Sequence, residues 1–301
     1  ATRAAIAGDV LLQGKTMKIA LCNEVVRDID FAAQCRLAAS LGYDGIELAP
    51  FTLSKEPHRI SGEERSTYRR IAEESGLRIT GLHWLLLTPE GLSITSPEPR
   101  TRERTLAVMK GLVELCADLG GKVLIHGSPK QRNIQTGDDP EEAWKRAADL
   151  FSEVALAAQE AEVTYCIEPL TQAETNFVNN LKEAVKMVEE IGNPHFRTML
   201  DTKAARGAES DPVPVLIDRW LPAGMLAHVH FNDRNLRGPG QGEDRFAPIL
   251  EKLLQHGYEG VIGIEPFDYH PDGPTCAARA IGYVRGILDS LNATRIGGST
   301  R

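Results

Sequence analysis

The chain contains no run approaching the roughly 18 consecutive apolar residues of a membrane helix, which excludes a spanning segment of that kind. Its five cysteines, Cys22, Cys35, Cys116, Cys166 and Cys276, lie far apart with no Cys-x-x-Cys pair. Most sit in apolar periodic segments, where a free thiol behaves as a small hydrophobe, so a reduced, cytoplasmic setting is expected. Basic residues are in the minority, 34 against 42 acidic, and the net charge of −8 works against binding a polyanion. Nucleic acid is therefore a disfavoured partner. A secretory core is missing as well: the apolar stretch from Ala4 to Leu12 is broken by Gly8 and Asp9, and residues 1–16 read as a loose N-terminal extension.

What is present is an ordinary globular composition, 42% hydrophobic and 25% charged, in 301 residues. From residue 17 to about 292, short β-rich apolar runs alternate with longer segments of helical period. The runs expected to be strands are 18–23, 45–49, 78–83, 122–127, 163–169, 196–202, 226–233 and 261–267. They are continuous rather than alternating, as strands buried on both faces should be. Between them, Leu106, Met109, Val113 and Cys116 recur at steps of three and four, on one face of a helix. Glycine follows the helical runs at Gly42, Gly76, Gly120, Gly192 and Gly257, where a left-handed residue closes a helix. Eight βα units imply right-handed crossovers and a parallel sheet, and that number favours closure. The first βα turn, Cys22-Asn23-Glu24-Val25, lacks the Gly-x-Gly-x-x-Gly of a dinucleotide fold. The expected fold is a (β/α)8 TIM barrel over 17–292, with a short tail at 293–301.

Barrel chemistry sits at the C-terminal ends of strands. There the sequence places His83, His126, Glu168, Asp201, His228 with His230, and Glu265, on six of the eight strands. Any one of these reads equally well as a satisfied core histidine or as a carboxylate paired with a helix lysine. Together, four groups on strands 5 to 8 would form a repulsive cluster, and each unpaired buried carboxylate costs on the order of several kcal/mol. A divalent cation would neutralise them. Oxygen ligands with one imidazole and no thiolate favour Mn, and also suit Mg, Co or Zn. His228 and His230 point to the same side of their strand, so one can ligate while the other orients it or meets the ligand.

These motifs resemble the xylose isomerase-like barrel superfamily, in particular the D-tagatose 3-epimerase type of ketose epimerase. They are Ile167-Glu168-Pro169-Leu170, Leu200-Asp201-Thr202, His228-Val229-His230-Phe231-Asn232-Asp233, Arg237-Gly238-Pro239-Gly240-Gln241-Gly242 and Gly263-Ile264-Glu265-Pro266-Phe267, spaced by about thirty residues. The resemblance implies that Glu168, Asp201, His230 and Glu265 bind one metal ion and that Glu168 and Glu265 also act as an acid/base pair. It further implies that Glu174 contacts a small sugar substrate and that the protein assembles as a homo-oligomer, although no stretch marks an interface. Two positions depart from the pattern. Arg237 lies beside a substrate-binding arginine position that Leu236 occupies, and Ala204 stands where the epimerases have a histidine, leaving Lys203 as a replacement donor or a solvent-facing lysine. The trinuclear zinc nucleases of the superfamily share His83 and His126, but the histidine three residues after Asp201 is missing, and the acidic charge opposes DNA.

The expected reaction is isomerisation or epimerisation of a ketose or related polyol through a metal-stabilised enediolate, with the two glutamates moving the proton. A metal-dependent lyase acting on oxidised glycosides, or a non-catalytic sugar-binding barrel, would use a similar cluster. His83, His126, Glu174, Lys203, His228 and Arg237 are the candidate substrate contacts. The loop Gly127-Ser128-Pro129-Lys130-Gln131-Arg132 reads either as an anion-recognition loop at the rim or as a solvated surface loop.

Overall fold

Each expected strand forms, and each stops one to three residues short of its expected C-terminal end. The computed structural model describes residues 17–298. The strands are β1 (Lys18–Cys22), β2 (Gly45–Leu48), β3 (Arg78–Leu82), β4 (Val123–His126), β5 (Thr164–Ile167), β6 (Phe196–Asp201), β7 (Leu226–Phe231) and β8 (Val261–Ile264). All neighbours pair in parallel, and β1 pairs with both β2 and β8, which closes the barrel. His83, Glu168 and Glu265 stand one residue beyond β3, β5 and β8, and their amides still donate to the neighbouring strands at the carbonyls of Leu48, His126 and Phe231.

Around the barrel run α1 (Phe31–Leu41), α2 (Gly62–Glu74), α3 (Pro99–Asp118), α4 (Pro140–Glu160), α5 (Leu181–Ile191), α6 (Thr202–Ala208), α7 (Val213–Trp220), α8 (Ala247–Gln255) and α9 (Gly273–Gly298). All five glycines expected to close helices adopt positive φ, between 64° and 90°. At their starts, Asp30 and Asn180 accept the amides of Ala33 and Glu183, and Ser61 forms a reciprocal capping box with Glu64. α9 continues past the boundary expected at 292, so the C-terminal segment is helical to Gly298. The expected extension, residues 1–16, lies outside the described residues.

Two apolar layers position the site. The large one lies between sheet and helices and includes Ile19, Leu21, Leu124, Tyr165, Val229 and Ile264. The small one, Val123, Ile125, Cys166 and Met199, fills the barrel interior. Because side chains alternate along a strand, Glu168 follows Cys166 and Asp201 follows Met199 on the inward side. The polar site therefore rests on an apolar plug. No helix among the described residues is long and apolar enough to cross a membrane.

Candidate active site

Glu168, Asp201, His230 and Glu265 each bring one ligand atom into a group whose members all lie within 4.8 Å of one another, and all four side chains are buried. Two glycines make the approach feasible. A Cβ on residue 127 would stand 1.9 Å from Glu168 Oε2, and one on residue 263 would stand 2.6 Å from His230 Cδ2. Asp201 is held through both oxygens: Oδ1 caps α6 by accepting the Ala204 amide at 2.7 Å, and Oδ2 accepts from Asn232 Nδ2 at 2.7 Å. Asn232 also donates to the Glu265 carbonyl at 3.1 Å and accepts the Lys203 amide at 2.9 Å, which ties the ends of β6, β7 and β8 together.

The charges in this group oppose one another. Burial, together with repulsion from Glu265 and Asp201, pushes Glu168 well above the usual carboxylate range. Burial and Glu265 raise Asp201 to about 6. For His230 burial acts downward, but Glu265 and Glu47 outweigh it and hold the imidazole well above its ordinary value. Burial would raise Glu265, yet the facing His230 brings it below the usual range. A cation among these groups would discharge the same repulsion.

The donor set fits a divalent ion. His230 Nε2 is hydrogen-bonded to Glu47 Oε1 at 2.8 Å, and its Nδ1 is paired with Glu265 Oε2 at 2.9 Å. An imidazole held by a carboxylate on one nitrogen, with the other turned toward three carboxylates, has the arrangement of a metal-ligating histidine. Glu168, Asp201, Glu265 and His230 Nδ1 would hold the ion.

Behind this group lies a layer of histidines and carboxylates. Glu47, fully buried on β2, approaches His228 Nε2 with Oε2 at 2.8 Å while Oε1 accepts from His230. His83 Nε2 pairs with Glu24 Oε2 at 2.7 Å. Trp84 donates its indole N–H to Glu265 Oε1 at 3.0 Å. In front, Glu168 and Glu265 border a cavity of about 260 Å³, with Trp84, Lys203, Leu236 and Phe267 among its other walls.

The expected substrate contacts divide accordingly. Glu174 and Lys203 line the cavity and form an ion pair with each other. His83 and His228 are buried behind the glutamates and do not border it. His126 points the other way: its Nδ1 meets the Tyr165 hydroxyl at 2.8 Å and its ring packs against Phe151 of α4, because Ile125 and Gly127 take the inward positions. Arg237 turns to Asp268, with Nε 2.9 Å from Oδ2, and Leu236 takes its place on the wall. In the loop after β4, Arg132 is fully buried and donates to the carbonyls of His126 and Glu168, so it braces the strand ends instead of facing a ligand.

The sequence profile of the xylose isomerase-like TIM barrel family matches residues 35–287, most of the barrel. The chain belongs to this family. Within the xylose isomerase-like barrels it is 26% identical over 246 residues to the D-psicose 3-epimerase of Ruminiclostridium cellulolyticum, covering 80% of this chain and 79% of that protein. It is 24% identical over 258 residues to the fructoselysine 3-epimerase of Shigella flexneri, covering 81% and 88%. Among solved structures, the 3-keto-D-glucoside 4-epimerase of E. coli superposes with a TM-score of 0.78 at 19% identity, over 90% of this chain and 100% of that one. That last likeness is one of fold.

Sequence reading missed Glu24, Glu47 and the bracing role of Asn232. Glu47 carried a signal: it is the single charge within the short strand Gly45-Ile46-Glu47-Leu48, where a carboxylate must find a buried partner.

Proposed function

We propose that the chain is a divalent-metal-dependent sugar epimerase or isomerase acting on a ketose, with Mn as the expected ion. One observation carries this reading: Glu168 and Glu265, from β5 and β8, belong to the same four-residue cation nest and border the same cavity. The named activities of the similar epimerases agree with it.

When bound, a divalent cation supplies Lewis-acid polarisation of a carbonyl and electrostatic stabilisation of an enediolate. The protein's part is to move the proton. One glutamate removes it from the carbon beside the carbonyl, and the other returns a proton to the opposite face of that carbon, so the substrate is neither oxidised nor reduced. Return to the neighbouring carbon instead gives isomerisation. Trp84 fixes the Oε1 atom of Glu265, while Arg132 holds the main chain of Glu168, so the two carboxyl groups keep their separation. Lys203 and Glu174 supply the polar wall for sugar hydroxyls.

The test is solvent exchange. In heavy water a ketose panel should take up deuterium at carbon with the carbon skeleton intact, and Glu265→Gln should lower this exchange by about 10²-fold or more. Wild-type turnover in that variant sinks the assignment, and elimination of a leaving group in place of exchange identifies a lyase.

A further inference from the structure

Trp84, Leu170, Leu236 and Phe267 make up much of the wall above the two glutamates. Leu236 is 41% exposed, and its backbone is left-handed, with φ +71°. A residue other than glycine holds that conformation only where its surroundings enforce it, and such residues gather at ligand sites. Here the amides of Phe267 and Asp268 donate to the Leu236 carbonyl at 2.7 and 2.8 Å, and the Leu236 amide donates to the Asp233 carbonyl at 2.9 Å. Trp84 is left-handed too, with φ +52°, its indole N–H held by Glu265 and its ring centroid 6.3 Å from that of Phe267. Two enforced backbones therefore hold apolar surface at one mouth.

Three of the cations near that mouth are already committed, while Lys130, next to the lining residue Pro129, is exposed to solvent. Lys203 is paired with Glu174 and stands 5.7 Å from the centroid of the Phe267 ring. Arg237, next to Leu236, is engaged by Asp268, and Arg132 is enclosed and spent on main-chain carbonyls. Apart from a cation held in the nest, a phosphate entering this cavity would meet two glutamates, a paired lysine and hydrocarbon among its lining residues.

We propose that the site takes an uncharged keto-sugar bearing an apolar substituent, an aryl or alkyl group that lies against Leu236, Phe267 and Trp84, and that it does not take a sugar phosphate. The keto-sugar half rests on the functional reading above; the apolar half rests on the geometry of the mouth. Trp84, Leu236 and Phe267 line the same cavity as Glu168 and Glu265, which puts this wall within reach of a substituent on a sugar held there, and an apolar pocket with few polar groups selects by hydrocarbon contact.

Calorimetric titration of the metal-loaded protein decides it. The probes are D-fructose, 1-anilino-1-deoxy-D-fructose, 6-O-benzyl-D-fructose and the 1- and 6-phosphates of D-fructose. At least one aryl-substituted ketose should bind about tenfold or more tighter than D-fructose, and neither phosphate should bind tighter than D-fructose. Leu236→Asn should remove most of the aryl gain. Asparagine tolerates the left-handed backbone, so this variant keeps the loop while deleting the apolar contact. The proposal is overturned if a phosphate binds tightest, if no aryl ketose exceeds D-fructose, or if Leu236→Asn keeps the full gain. Deuterium exchange on the same probes separates the two readings. Exchange into D-fructose with no aryl preference overturns the apolar subsite alone, and aryl-preferential binding with no exchange in any probe overturns the epimerase reading alone.

Discussion

Glu47 meets His228 and His230 through its two oxygens, each 2.8 Å away, and among the described residues its ion-pair partners are all histidines. Burial would raise its carboxyl, but these imidazoles outweigh burial and hold it well below the usual range. Its hydrogen bond to His230 Nε2 directs Nδ1 toward the three carboxylates, so the orientation of a proposed ligand depends on a residue from β2. Glu47→Gln should therefore weaken Mn binding by about 10- to 100-fold in calorimetric titration, with the far-UV circular dichroism retained. Unchanged affinity would show that Glu47 does not set the orientation of His230. The four proposed ligands were legible in the sequence because each stands at or just beyond the end of an apolar run. His126 was misplaced because that reading took strand ends without their parity. With Ile125 and Gly127 facing inward, the residue between them must face the helices.

The element that turns Asp201 into a fixed point is α6, whose first-turn amide at Ala204 is satisfied by the same carboxylate that faces the cation nest. One side chain thus closes a helix start and points a ligand. Five helix ends, those of α1, α2, α3, α5 and α8, were readable from glycine, since each of those positions takes the left-handed backbone that glycine adopts at little cost. The end of α9 was not, because no such residue follows 292 until Gly297, and the helical run simply continues. The cysteines also follow from their elements. All five are buried, and burial pushes Cys35 up to about 12, with Cys116 and Cys166 raised still further. A thiol-specific disulfide reagent at pH 8 should therefore leave the folded chain unreacted and titrate five thiols per chain in denaturant. Rapid reaction of any thiol in the native state would contradict the packing of its strand or helix.

Across the whole molecule, the proposed ligands come from β5 to β8, whereas Glu24, Glu47 and His83, which back them, stand on β2 or just beyond the ends of β1 and β3. A cation held there binds the folded barrel and not the unfolded chain, so it should add stability. Saturation at about 100 times the dissociation constant contributes roughly 2.7 kcal/mol. Chelation should lower the unfolding temperature in calorimetry and readdition of Mn should restore it; a Tm independent of metal would refute a bound ion in the nest. The barrel itself was readable because eight buried runs and their helices repeat one unit, a periodic signal. Of the backing layer the histidines His83 and His228 stood out at strand ends, but their carboxylate partners did not, because contacts such as Glu47 to His230 span 183 positions and leave no local trace.

That division has a bearing on how the protein comes into being. A nascent chain emerging from the ribosome carries Glu24, Glu47 and His83 early, but Glu265 arrives only with the eighth strand. Until β8 has been made and pairs with β1, the four-residue nest lacks one of its carboxylates, so the proposed chemistry waits for the last strand of the barrel.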